Sequence, residues 1–152
     1  MLYSKSAEYA IQAMIYLAER EGEGLSMVSS IAEQYNIPRQ FLAKLVQTLS
    51  RQRLVSSFRG RSGGIKLARP ANQITLLDIV HAIDGPPPTE ERCVIGLDVC
   101  SDDANCPLHF EWIHIKTLIR DTLEHQTLTE LAEGMREKRR ELAQVLRDTE
   151  QK

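Results

Sequence analysis

Between Arg92 and Trp112 the chain reads RCVIGLDVCSDDANCPLHFEW, and this stretch holds all three of its cysteines. Cys93, Cys100 and Cys106 are separated by six and then five residues, and His109 follows Cys106 after two more. Gly96, Asp98, Ser101, Asp102, Asp103 and Asn105 fill the gaps, which predicts a loop and not a helix or strand. Three thiols and an imidazole on one loop are the soft donors that hold a transition-metal centre. Three cysteines cannot all pair, and the charged, amphipathic opening MLYSKSAEYAIQAMIYLAER does not read as a secretory leader. The expected location is the cytoplasm, where structural disulfides are rare.

Spacing alone leaves three chemistries open. Iron–sulfur clusters accept irregular spacing because the inorganic core sets the sulfur positions. Zinc favours a tight two-cysteine knuckle, which this stretch lacks. The thiols could also be unligated. An enzyme is a further class, either a small redox protein using a cluster for electron transfer or a thiol enzyme using Cys106 beside His109, but the chain carries no cofactor fingerprint and no nucleophile–base–orienter set. The expectation is that it is not an enzyme.

What must position this loop follows from the rest of the chain. With 152 residues and 42% hydrophobic content, one domain can bury a core, and no apolar run is long enough to span a membrane. The net charge of −2 hides a polarity. Residues 1–70 carry ten Lys/Arg against five Asp/Glu, whereas residues 71–152 carry nine against sixteen. No acid occurs between Glu33 and Asp78, while Arg39, Lys44, Arg51, Arg53, Arg59, Arg61, Lys66 and Arg69 lie there. A basic stretch in an acidic chain points to a polyanion-facing surface.

Ala7, Ile11, Met14, Ile15 and Ala18 recur at helical spacing and predict a first helix over 5–20 with one apolar face. Ser26 is placed to cap a second, over 27–35, with Val28, Ile31, Ala32 and Tyr35 on one side. Asn36 suits a left-handed helix end, and Pro38 suits the first turn of a third helix over 38–52 that buries Leu42, Leu45, Val46 and Leu49. This is a helix-turn-helix. On the opposite face of the third helix stand Arg39, Gln40, Ala43, Lys44, Gln47 and Arg51, among them the long cationic and amide side chains that reach bases and phosphates in a major groove. Val55–Arg59 and Ile65–Leu67 have strand character, joined through Gly60, Gly63 and Gly64, and the tip presents Arg59, Gly60 and Arg61. A basic hairpin directly after a helix-turn-helix makes a winged helix, whose tip arginines suit a minor groove or phosphates. No Gly-Lys-Ser/Thr follows these glycines, so they do not form a nucleotide-binding loop.

Thr75 is placed to cap a fourth helix, with Leu76, Ile79, Val80 and Ile83 inward, that ends at Asp84-Gly85. The triple proline 86–88 leads stiffly into the cysteine loop. Pro107 is expected to open a helix reaching about Glu124, on which Leu108, Trp112, Ile115 and Ile119 form a heptad seam, with Phe110, Ile113 and Leu118 adding apolar surface. That much apolar surface suits a partner chain or the protein's own core. Thr127 to Glu130 is a capping box for a last helix, highly charged from Glu137 onward.

The chain resembles the Rrf-two family of winged-helix regulators, whose IscR and NsrR branches sense through iron–sulfur clusters. The resemblance rests on YSKSAEYAIQAMIYLA, VSSFRGRSGG, ITLLDIVHAIDG, the three-cysteine loop, CPLHFEW and LTELA, and extends to about Ala132. It implies a homodimer that crosses its long helices, places two recognition helices on double-stranded DNA and holds one cluster per subunit. Cys93, Cys100 and Cys106 match the cluster cysteines, and His109 matches the histidine that completes a two-iron cluster in the IscR branch. Ala43 departs from that branch, which has a promoter-selecting glutamate there. Glu8 stands where the nitric-oxide branch supplies a carboxylate from the partner subunit.

The expected architecture is mainly α with a small β wing. A winged helix-turn-helix at 1–85 is followed by a cluster loop at 86–106. A dimerisation helix with its return helix spans 107–135, and a charged tail that can fray spans 136–152. The expected DNA contacts are Arg39, Gln40, Lys44, Gln47, Arg51, Arg59, Gly60 and Arg61. The expected metal ligands are Cys93, Cys100, Cys106 and His109, holding a 2Fe-2S cluster in preference to a 4Fe-4S one.

Overall fold

Ser4 starts the first helix by accepting a hydrogen bond from the Ala7 amide at 3.1 Å, satisfying one of the donors that a helix start leaves free. The computed structural model describes residues 3–86, 95 and 106–150. Within them, α1 (Lys5–Glu19), α2 (Val28–Gln34) and α3 (Arg39–Arg51) precede an antiparallel hairpin of β1 (Val55–Phe58) and β2 (Gly64–Leu67). A 3-10 turn at Ala71–Gln73 leads to α4 (Leu76–Asp84), and the chain closes with α5 (His109–His125) and α6 (Leu128–Glu150).

Helix α1 is the centre of the core. Ala10, Ala13, Tyr16 and Leu17 are buried beside the expected Ala7, Ile11, Met14, Ile15 and Ala18, so the helix is covered on more than one face. The cover comes from α4 and α6, and the alanines let these neighbours approach closely. Met14, Ile31, Leu42, Leu49, Leu54, Ile74, Ile79 and Leu128 are all less than 2% exposed, each contributing about 1.5–3 kcal/mol on burial. Leu128 and Ala132 belong to α6, so this core extends past residue 85, where the sequence suggested that the DNA-binding part ends.

Most local signals act where expected. Asn36 adopts φ 51° after α2, and Pro38 caps α3 with an extended ψ of 123°. Thr75 and Asp78 form a reciprocal capping box at the start of α4, and Thr127 and Glu130 form another at α6. The two helix starts are tied together: Leu76 N–H donates to Gln126 O at 2.9 Å and Leu128 N–H to Ile74 O at 2.8 Å.

Two expectations change. Ser26 does not cap α2. Its backbone instead pairs with Ile65 through bonds of 2.9 and 2.8 Å, fastening β2 to the helix-turn-helix, and Met27 takes the cap position without a side-chain bond. Helix α5 begins at His109, because Pro107 and Leu108 form a turn before it. Helix α6 runs unbroken across residue 136 to Glu150, through the charged stretch read as able to fray. No helix among the described residues is long and apolar enough to cross a membrane.

Candidate nucleic-acid interface and thiol–imidazole pair

Helix α3 buries Leu42, Leu45, Val46 and Leu49 and turns Arg39, Gln40, Lys44, Gln47 and Arg51 to solvent, with Ala43 half-buried between the two faces. Arg51 donates to Thr48 Oγ1 at 3.2 Å, which holds its guanidinium along the helix. Arg39, Lys44, Arg59 and Arg61 make no ion pair with any acid among the described residues, so their charge is available to phosphates.

The wing is shaped by its glycines. Gly63 N–H donates to Gly60 O at 3.0 Å, and Gly60 holds φ +105°, a region that side-chain-bearing residues rarely adopt. This closes the tip and leaves Arg59 and Arg61 exposed on either side of Gly60. Between wing and α3 lies a groove of about 270 Å³, with Arg39, Ala43 and Val46 on one wall and Ser57, Phe58 and Gly63 on the other. Of the expected contact residues, Arg39 and Gly60 line this groove, and Arg59 and Arg61 flank Gly60 in the chain.

Sequence reasoning missed Phe58 and Met27, which are 47% and 51% exposed and also line the groove. The signal was available for Phe58, an aromatic at the outer end of β1, beyond Ser56 and Ser57. Lys66 sits over its ring at 5.4 Å from the centroid. Met27 gave no such signal, since it was only the first residue of the helix expected over 27–35 and stood outside its apolar set.

The second site lies where α5 begins. His109 is 1% exposed, its amide donates to Cys106 O at 3.0 Å, and its ring meets Phe110 edge-on at 5.1 Å. Cys106 is a half-buried free thiol. Cys93 and Cys100 lie outside the described residues. Among the described residues no group of three or more His, Cys, Asp or Glu gathers as a metal site. Glu8 stands in the first turn of α1 and pairs with Lys5, whose ammonium pKa is raised by its hydrogen bond to that carboxylate.

The model of a family described as iron-dependent transcriptional regulators, Rrf2, matches residues 3–134. The chain belongs to the Rrf2 family. It is a DNA-binding transcription regulator and not an enzyme. A Mycobacterium tuberculosis chain provisionally named an HTH-type transcriptional regulator is 35% identical over 134 residues, covering 88% of this chain and 83% of that one. The solved structure of CymR, the global cysteine regulator of Bacillus subtilis, superposes with a TM-score of 0.74 at 32% identity. It covers 86% of this chain and 95% of that one. IscR of T. potens gives 0.69 at 28% identity, covering 87% and 86%. The match spans both the groove between wing and α3 and the Cys106–His109 turn.

Proposed function

We propose that this regulator binds its operator as a homodimer and that an iron–sulfur cluster, held by Cys93, Cys100, Cys106 and His109, controls that binding. The observation that carries the reading is the Cys106–His109 turn. A thiol and an imidazole share one turn at the head of α5, and the imidazole is removed from water. This donor chemistry fits an iron–sulfur centre, and a 2Fe-2S cluster suits a mixed thiolate–imidazole set. Bound there, such a centre supplies sensitivity to oxidants, nitric oxide and iron loss.

The chain's own residues supply the coupling. Helix α5 packs on α4, and α4 packs on α3. Fixing Cys106 and His109 as ligands biases the head of α5 and, through α4, the pose of the recognition helix; this is a coupling free energy between two sites. The second copy is supported by exposed apolar side chains on α5, Phe110 at 68%, Ile115 at 44% and Leu118 at 61%, and by Leu108 at its N-cap, 49% exposed. Trp112 and Ile119 of the heptad seam are half-buried, so the exposed surface is broader than the seam.

A cluster-free thiol regulator of the same fold is the second reading. It is favoured by the CymR structure, which matches at higher identity and TM-score than IscR. Absorption spectra after anaerobic purification separate the two, because only a bound cluster gives a visible iron–sulfide band with matching iron and sulfide content. Reconstituted His109→Ala should lose or shift that band while Glu8→Ala keeps it. Loss in Glu8→Ala alone would move the fourth ligand to the carboxylate on α1.

A further inference from the structure

The family match ends at residue 134, yet α6 continues to Glu150, and its continuation reaches back to α1. Arg139 Nη1 donates to Glu19 Oε1 at 2.6 Å, and Arg136 Nη2 donates to the Glu19 backbone carbonyl. The Glu19 side chain is only 6% exposed, so its carboxylate needs a cation close by. Helix α1 has no basic residue in its last turn. Arg136 thus adds a second cation and donor at the negative end of the α1 dipole, beside Arg20, whose Nη1 donates to Tyr16 O at 3.4 Å.

Contacts continue from this point into the helix-turn-helix. Arg20 Nη1 lies 4.0 Å from Glu19 Oε2, and the Arg20 guanidinium stacks on the Tyr16 ring at 3.7 Å. Tyr16 packs edge-on against Tyr35 at 6.5 Å. Tyr35 is the C-cap of α2, one residue before the left-handed Asn36 that turns the chain toward α3. Burial raises the Tyr35 phenol pKa, and the charges of Arg139 and Glu19 both act on it.

We propose that Arg136 and Arg139 are positioning residues for operator binding: gripping the C-terminal end of α1, they fix the turn between α2 and α3 and so the pose of the recognition helix. The rival role for these arginines is a direct contact with DNA phosphate. That role would appear in the salt dependence, since each lost phosphate contact lowers the slope by about one unit.

The test uses the full chain and a duplex selected by the wild-type protein from a randomised library. Affinity for this duplex and for a scrambled one is measured over a salt series, with circular dichroism to follow folding. Arg139→Ala and Glu19→Gln are each expected to weaken specific binding about tenfold. Scrambled-duplex affinity and salt slope should stay unchanged, and Arg139→Lys should recover part of the loss. The double variant should be no worse than the weaker single, because both remove one contact. The proposal is overturned if the specific-to-scrambled ratio stays at the wild-type value in Arg139→Lys and in whichever Ala or Gln variants fold. It is equally overturned if the slope falls by about one unit in Arg139→Ala but not in Glu19→Gln.

Discussion

Gly63→Ala isolates the wing from the rest of the DNA-binding surface. A Cβ at Gly63 would lie 2.4 Å from Phe58 O, 2.9 Å from Gly60 O and 3.0 Å from the Arg59 carbonyl carbon. All three are backbone atoms, so no rotamer change relieves the clash and the tip must open. Opening breaks the Gly63–Gly60 hydrogen bond, at about 0.5–1.5 kcal/mol. It also displaces Arg59 and Arg61, where a lost base contact costs about 1–3 kcal/mol. Operator affinity should therefore fall by roughly tenfold to a hundredfold, while the smaller loss of folding stability lowers Tm by only about 2–4 °C. Fluorescence anisotropy on the selected duplex reads the first quantity and thermal unfolding the second. Ser62→Ala, at an exposed neighbouring position, is the control and should behave as wild type. Wild-type affinity together with wild-type Tm in Gly63→Ala would refute the closed tip.

Arg59→Ala or Arg61→Ala should weaken binding by about 1–3 kcal/mol if a groove contact is lost, or lower the salt slope by about one unit if a phosphate contact is lost. No change in either quantity for both variants would remove the wing from the interface. Lys44→Ala and Gln47→Ala should alter sequence preference, readable by repeating the duplex selection. Ile115→Asp places a charge in the exposed apolar face of α5 and should cost a dimer on the order of several kcal/mol. Sedimentation should then show a monomer, and a wild-type chain that is monomeric at micromolar concentration would refute the dimer. The Thr127 amide and hydroxyl hold the Glu130 pKa below its ordinary value. With the folded pKa depressed, the contribution is present above the ordinary carboxylate range and lost as pH falls through the folded value. Acid unfolding of wild type against Glu130→Gln should converge at low pH, and a constant difference would contradict the linkage.

Features set by near neighbours in the chain were legible. The four inward residues of α3, the left-handed Asn36, the cap at Thr75 and the capping box at Thr127 depend on contacts within a few positions, and each is where the pattern predicts. Ser26 shows the limit. Local capping chemistry favoured its side chain, but the backbone demand of β2, 39 residues away at Ile65, took that segment into strand pairing. The burial of α1 on more than one face was equally hidden, because α6 covers it from the far end of the sequence. In the interface the cations could be read, since charge without nearby acid is a sequence property. The groove wall at Met27 could not, because exposure depends on how wing and helix meet. At the head of α5 the three-residue spacing of Cys106 and His109 suggested a shared turn, while the burial of His109 required the fold.

Leu128 and Ala132 in the core around Met14 also impose an order on biosynthesis. The helix-turn-helix leaves the ribosome early, but α1 stays uncovered on one side until the chain beyond Ala132 has been made. All three cysteines precede that point, and domains generally fold as units during synthesis. The nascent protein therefore presents its thiols before its DNA-binding surface has final support, so chemistry at the cysteines can begin before the regulator is competent to hold an operator.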